Sequence, residues 1–338
     1  MDVKANKRIE WIDCAKGLGI LLVIFAHSIH ITPAQVLTRG IIFSFHMPLF
    51  FILYGMTFKF SDNYDSFKSN LYKRFRHLII PALVCYLIIT FVDLLYNLDT
   101  LVLSDFIVNH LIALLFCPGA DYDIGLFHIS SVSMLWFIFV LFYASVIIDY
   151  LHLKFQKQTN VLICSFLFVF GFFTIKAGFG LPMSLEVVFL IIPFILFGKY
   201  ILPKLKITDL RVIIGFLIIW ILSFIVIVYF TGTYLEIAGR RYPLFPVCHI
   251  TAIAGTVFVC SLCCYFTKLK IISKPFVVIG RYTLYIFIAH TFDYMFFFVW
   301  SFTDNNFLAA AVRIIFDLIL AFIIYKSRQI LMSALKKN

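Results

Sequence analysis

Residues 11–30 read WIDCAKGLGILLVIFAHSIH, and the reading of this stretch decides the fold. It is long and apolar enough to cross a bilayer as one helix, yet it carries Asp13, Lys16 and His27. Lys16 and His27 are eleven residues apart, three helical turns. Both side chains therefore share one face, about 16 Å apart along the axis. Asp13 lies one turn before Lys16 on nearly the same face. Ionisable groups on a membrane helix cost free energy unless they line a cavity or find partners, so this polar face reads as functional. The plainer alternative is an Asp13/Lys16 ion pair near the membrane surface, with Lys16 snorkelling, plus one packing histidine.

The rest of the chain has the same character. Of its 338 residues 63% are hydrophobic and 13% charged, with a mean hydropathy of +1.02. A soluble domain of this length could not bury so much apolar surface, so the expected class is an all-α polytopic membrane protein. With no water in the bilayer core, backbone groups must pair within helices, which sets a β-sheet reading aside. Ten apolar stretches are long enough to span: 12–31, 40–58, 78–97, 132–151, 160–177, 184–202, 211–230, 246–267, 276–299 and 307–330. The 28 Lys and Arg test that count. With alternating spans, 21 of them fall on one side, and the opposite side receives only Arg39, Lys176, Arg240 and Arg241. The expected arrangement is a bundle of about ten transmembrane helices with both termini cytoplasmic, residues 1–338 forming one membrane domain. No small-residue cleavage signature follows the first apolar run, so it is expected to stay as a span.

That one-sided distribution also explains the net charge of +11, and no nucleic-acid partner is expected. Cys260, Cys263 and Cys264 lie in an apolar helix with no second ligand pair, so they read as packing residues and no metal is expected. The longest connection, 98–131, has four aspartates and no Lys or Arg, and its FIVNHLIALLF stretch reads as a short interfacial helix. The connection 231–245 carries Arg240 and Arg241 where the charge rule disfavours them, which points to an anionic or glycan ligand or to plain solvation.

Counting along alternating spans converts residue number to depth. His27 lies about four residues from the far end of span 1 and His46 about six from that of span 2. His290 stands about fourteen residues up span 9, or about 21 Å. The three histidines are thus expected at one level of a lined cavity. On the basic side, Lys16, Lys73, Arg74, Arg76, His77, Lys274 and Arg281 gather at the ends of spans 1, 3 and 9. Most satisfy the charge rule or meet anionic headgroups, but Lys16 and Arg281 lie inside their spans, where they would suit phosphates. Asp93, Glu186, Asp293, Arg313 and Asp317 are further intramembrane candidates, and Arg313 and Asp317, at i,i+4, read most simply as an ion pair.

These residues resemble the acyltransferase 3 family of integral membrane acyltransferases. The likeness runs from Asp13-x-x-Lys16-Gly17 through the ten intervening residues to His27, the family's Arg/Lys-x10-His pattern. It continues through His46-Met-Pro-Leu-Phe-Phe and Gly55, Lys73-Arg74-Phe75 with Pro81, Trp136-Phe137, and Gly280-Arg281 to His290. Lys16 stands where many members have arginine, which keeps the charge without the bidentate fork. The resemblance implies O-acetylation of a glycan or lipid-linked sugar acceptor from acetyl-CoA, by a multi-pass protein of a bacterial inner or plasma membrane. It implies Lys16, Arg74, Arg76 and Arg281 as donor-binding residues and His27, His46 and His290 as the catalytic set. His27 would act as general base or as an acetyl relay. Asp13 and Trp136 would orient the site, with Trp136 and His46 as candidate oxyanion donors, and Arg240 and Arg241 would meet the acceptor. Membrane lipids and a second copy of the chain are the other partners considered.

The competing reading is a transporter or flippase for a lipid-linked or anionic substrate. Against it, no repeated half and no matched pair of broken helices is legible. A purely structural role ranks third. The charge pattern makes a direct prediction: cysteine-accessibility labelling should find residues near 65, 156, 205 and 271 on the basic side, and residues near 35, 115, 238 and 304 on the opposite one.

Overall fold

The computed structural model describes residues 8–29, 33–99, 102–125 and 127–335. His30, which the sequence places at the membrane surface, and the terminal lysines 4, 7, 336 and 337 lie outside these residues. The chain is almost entirely helical: α1 (Glu10–Ser28), α2 (Pro33–Phe43), α3 (His46–Thr57), α4 (Tyr64–Arg74), α5 (Ile80–Tyr96), α6 (Leu103–Phe116) and α7 (Trp136–Lys154). Then come α8 (Lys157–Lys176), α9 (Leu185–Tyr200), α10 (Leu210–Thr231), α11 (Val247–Phe266), α12 (Lys270–Arg281), α13 (Thr283–Phe292) and α14 (Asn306–Leu335). Among the described residues nine helices are long and apolar enough to cross a membrane, or ten if the bent pair α12–α13 is one span. The polytopic all-helical bundle read from composition is therefore what the chain forms. The exception is a short antiparallel hairpin, β1 (Tyr122–Ile124) and β2 (Phe127–Ile129), in the longest connection. It follows α6, the short helix expected there.

Several boundaries follow from proline. Pro48 has no N–H to offer Ser44, and the second span breaks at 44–45 into α2 and α3. Pro81 does the same to the carbonyl four residues back. There the helix widens into a π turn over Phe75–Ile79, with Ile80 N–H bonding Phe75 O, five residues back. The ninth span also departs from its expected form. It bends by 67° at Tyr282, whose backbone (φ −107, ψ 13) leaves the helix. The depth of His290 therefore cannot be summed at 1.5 Å per residue from the start of a straight span, as the sequence reading did.

The chain divides into two compact units, Met1–Leu53 with Leu202–Leu235 and Pro246–Asn338, and Tyr54–Ile201 with Glu236–Phe245. In the first unit α1 is central, touching α11, α12, α13 and α14. More than half of its residues are buried, Asp13 among them. Its packing against α12 is backbone on backbone. A Cβ at Gly17 would overlap the Phe276 carbonyl oxygen, and one at Gly280 would overlap the carbonyl oxygen of Asp13. Small residues allow this approach without a hydrophobic driving force between helices. In the second unit Gly55 does the same for α3 against the Ile195 carbonyl of α9.

Gly17→Val should destabilise the protein by about 1–3 kcal/mol or more, because backbone cannot move aside as a side-chain tip can. Thermal unfolding in detergent measures this, with Gly215→Ala as the neutral control, since nothing lies within 4 Å of a Cβ there.

Candidate active site

The last turn of α1 carries His27, an exposed residue. The other two expected histidines do not: His46 is 3% and His290 1% exposed. The His27 and His290 ring centroids are 5.6 Å apart. Phe43 stands 6.0 Å from His27 and 4.7 Å from His46. The structure thus sets His27 directly beside His290 and interposes Phe43 before His46. His46 opens α3 just after the proline-driven break, and its Nδ1 donates to the Ile42 carbonyl at 3.0 Å. That bond assigns the Nδ1–H tautomer, because a carbonyl only accepts.

Behind His290 lies a fully buried polar cluster. His290 Nδ1 is 2.7 Å from Asp293 Oδ2 and 2.9 Å from Asp317 Oδ2. Arg313 grips Asp293 with two bonds, Nε to Oδ2 at 2.5 Å and Nη2 to Oδ1 at 2.9 Å. Its third nitrogen, Nη1, donates to the His27 backbone carbonyl at 2.9 Å. One guanidinium therefore ties the end of α1 to the residue that holds His290. This corrects the i,i+4 pairing read from sequence: Arg313 pairs with Asp293, and Asp317 with His290. The bend at Tyr282 and the tight turn that follows α13 bring Asp293 to α14, a contact no local spacing announces. Trp300 covers the guanidinium, 4.9 Å from its ring centroid.

His290, Asp293 and Asp317 offer three ligand atoms within 4.8 Å of one another, a grouping a divalent cation could use. Both Asp293 oxygens already accept from Arg313, however, and a metal there would lie against a guanidinium. The cluster reads better as an ion-paired support for the histidines. His290 Nδ1 meets both carboxylates, while its Nε2 has no hydrogen-bond partner.

At the other end of α1, Asp13 is buried, with Oδ2 3.5 Å from Arg281 Nε and 3.8 Å from Arg8 Nε. Lys16 is half-buried one turn on. The glycine crossing of α1 and α12 brings these cations together: Asp13 contributes the carbonyl that lies on Gly280, one residue before Arg281. The ion pairs of Asp13 thus run to two arginines, where sequence had considered Lys16.

The remaining candidates belong to the second unit. Arg74 donates to the fully buried Asp149 at 2.7 Å and to the Ser145 carbonyl at 3.3 Å. Asp149 also accepts from Ser61, through N at 2.8 Å and Oγ at 2.9 Å. Arg74 is therefore committed to a buried carboxylate, while Arg76, on the π turn, is exposed. Trp136 opens α7 with its ring against Gly119. Arg240 and Arg241 point to different environments. The Arg241 side chain is 53% exposed and paired with Glu236. That of Arg240 is 12% exposed, 3.4 Å from the buried Glu186. Neither presents an uncompensated charge.

A family model described as an acyltransferase domain matches residues 9–326, nearly the whole chain. The chain belongs to the acyltransferase 3 family. No curated protein and no solved structure matches it at significant similarity. Membership of this family together with the apolar helices makes the chain an integral multi-pass membrane acyltransferase. The matched span runs from the start of α1 past Arg313 and Asp317 on α14.

Breaking a buried ion pair by removing one partner typically costs about 3–5 kcal/mol. Arg313→Met should therefore lower the melting temperature in detergent sharply. Arg313→Met combined with Asp293→Leu should recover part of the loss, since no carboxylate is then left unpaired.

Proposed function

We propose that this acyltransferase moves an acetyl group from cytoplasmic acetyl-CoA to a hydroxyl of a cell-surface glycan or its lipid-linked precursor, with His27 as general base or acyl relay. The observation that carries the reading is the contrast among the histidines: His27 is accessible, while its neighbour His290 is buried and clamped by carboxylates. A base must meet its substrate and also be held still, and only His27 satisfies both conditions.

In the direct route His27 takes the proton of the acceptor hydroxyl as its oxygen attacks the thioester carbonyl. The C–S bond then breaks, and His27 returns the proton to the departing thiolate. In the relay route an unprotonated His27 nitrogen attacks the thioester carbonyl and expels CoA as its thiolate. The acceptor hydroxyl then attacks the acetyl-imidazole carbonyl, the imidazole leaves, and the hydroxyl proton balances the thiolate. Either way positive charge develops on His27. The carboxylates of Asp293 and Asp317, lying behind His290, are placed to offset it at short range. Arg313 fixes the backbone of His27, so little reorganisation is needed when that charge appears. Lys16 and Arg281 are suited to the donor phosphates, and the rise of about 16 Å from Lys16 to His27 is close to the length of a pantetheine arm. Arg74, committed to Asp149, and the exposed Arg76 belong to the second unit and are not assigned to this site.

The test is transfer of radiolabelled acetyl from acetyl-CoA to a glycan acceptor by the purified protein. His27→Ala should fold and lose about 10²–10⁴ in rate, the usual worth of general acid–base assistance. Lys16→Ala should raise the donor KM about ten- to a hundredfold, the loss of one charge-assisted hydrogen bond, and Lys16→Arg should be close to wild type. Near wild-type transfer by His27→Ala would sink the mechanism.

A further inference from the structure

All six non-glycine residues with positive φ among the described residues lie in the connections of the second unit: Cys117, Ser133, Met183, Ser184, Arg240 and Leu244. Such conformations are disfavoured for L-residues and persist where the surroundings over-determine them, which is commonest at ligand sites. Two of them, Met183 and Ser184, lead directly into the turn of Glu186, and a third, Arg240, pairs with it. Glu186, in the first turn of α9, is fully buried; its Oε2 accepts from Leu181 N at 2.9 Å and its Oε1 lies 3.4 Å from Arg240 Nη2. Arg240 reaches it from the turn closed by the Glu236–Arg241 bridge, in a left-handed conformation (φ 56) that a glycine or asparagine would adopt more easily. Its guanidinium stacks over the Tyr122 ring at 4.1 Å and donates to the Phe179 carbonyl.

Three polar atoms of this group are buried and have no hydrogen-bond partner: Glu186 Oε1, Arg240 Nε and Tyr122 Oη. Buried polar groups are normally satisfied, so each needs a reason. Together they are an acceptor, a donor and a group that can do either. Burial, reinforced by Glu186 and opposed by Arg240, pushes the Tyr122 phenol up to about 12, so it keeps its proton at neutral pH.

We infer that Glu186, Arg240 and Tyr122 form a subsite for a neutral, hydroxyl-rich ligand, the chemistry of an uncharged sugar. This rests on the O-acetyltransferase reading above and specifies its acceptor. A carboxylate already paired with a guanidinium offers neither an anion nor a cation an uncompensated charge, whereas adjacent ring hydroxyls supply one donor and one acceptor to match the two groups. Arg240, the partly exposed member, covers Glu186, and a hydroxyl reaches the carboxylate by parting the Arg240–Tyr122 stack. The pair of arginines, which by sequence pointed to an anionic or glycan ligand or to plain solvation, thus acts as one compensated residue facing inward and one facing solvent.

The test uses the full chain in lipid nanodiscs and ligand-observed saturation-transfer NMR titrations. The neutral probes are glucose, galactose and N-acetylglucosamine, and the anionic probe is glucose 1-phosphate. Wild type should bind at least one neutral probe more tightly than glucose 1-phosphate. Tyr122→Phe, which removes one oxygen and leaves the ring under Arg240, should weaken that binding about three- to tenfold. Glu186→Gln should weaken it about ten- to a hundredfold and, by leaving Arg240 uncompensated, make glucose 1-phosphate the tighter ligand. Absence of neutral-sugar binding in wild type, or unchanged binding in both variants, overturns the inference. His27→Ala should bind sugar as wild type does. Sugar binding through Glu186 without any acetyl transfer would therefore refute the enzymatic reading alone. Acetyl transfer with sugar binding indifferent to Glu186 and Tyr122 would refute this inference alone.

Discussion

The first unit depends on a contact made by two absent side chains. Where α1 crosses α12, the carbonyls of Phe276 and Asp13 occupy the volumes that Cβ atoms at Gly17 and Gly280 would need. Lipid gives helices no hydrophobic reason to associate, so close backbone packing of this kind supplies attraction through dispersion and dipoles. Its consequence is positional. Held there, α1 packs against α11, α12, α13 and α14, with Asp13 buried among them. Asp13 then meets Arg281 at one end, and His27 meets His290 at the other.

Buried charge is handled in the same way three times. Asp149 with Arg74, Glu186 with Arg240, and Asp293 with Arg313 each set a carboxylate that is at most 1% exposed against one arginine. Arginine suits the task, since its planar fork satisfies several acceptors at once and it stays charged when desolvated. The three pairs differ in what remains unsatisfied. Around Asp149 the serine donors complete the carboxylate. Around Glu186 and around His290 the pairing is incomplete, and polar atoms are left over. A saturated pair is a structural element; an unsaturated one retains the capacity to bind or to exchange a proton.

The breaks in the helices serve the same ends. The turn at 44–45 points His46 back at the Ile42 carbonyl, and the bend at Tyr282 delivers Asp293 to Arg313. A straight ninth span would keep Asp293 on its own helix face, and Arg313 would be left with Asp317 as its natural neighbour one turn away.

Much was legible in the sequence because hydropathy and charge are summed locally. Apolar runs of span length must be helices in a solvent without hydrogen-bond partners, and the uneven spread of Lys and Arg orders them. The Lys16–His27 spacing needed only the helical repeat, and the motifs around it were enough to place the chain in its family. Tertiary structure decided what each polar residue touches. That His27 is accessible while His46 and His290 are not, that Arg313 grips Asp293 rather than Asp317, and that Arg240 turns inward to Glu186 all depend on contacts between residues from 20 to nearly 290 positions apart. Such contacts are set by bends, by glycine-sized gaps and by the need of each buried charge for a counter-charge. None of these has a period that a sequence displays.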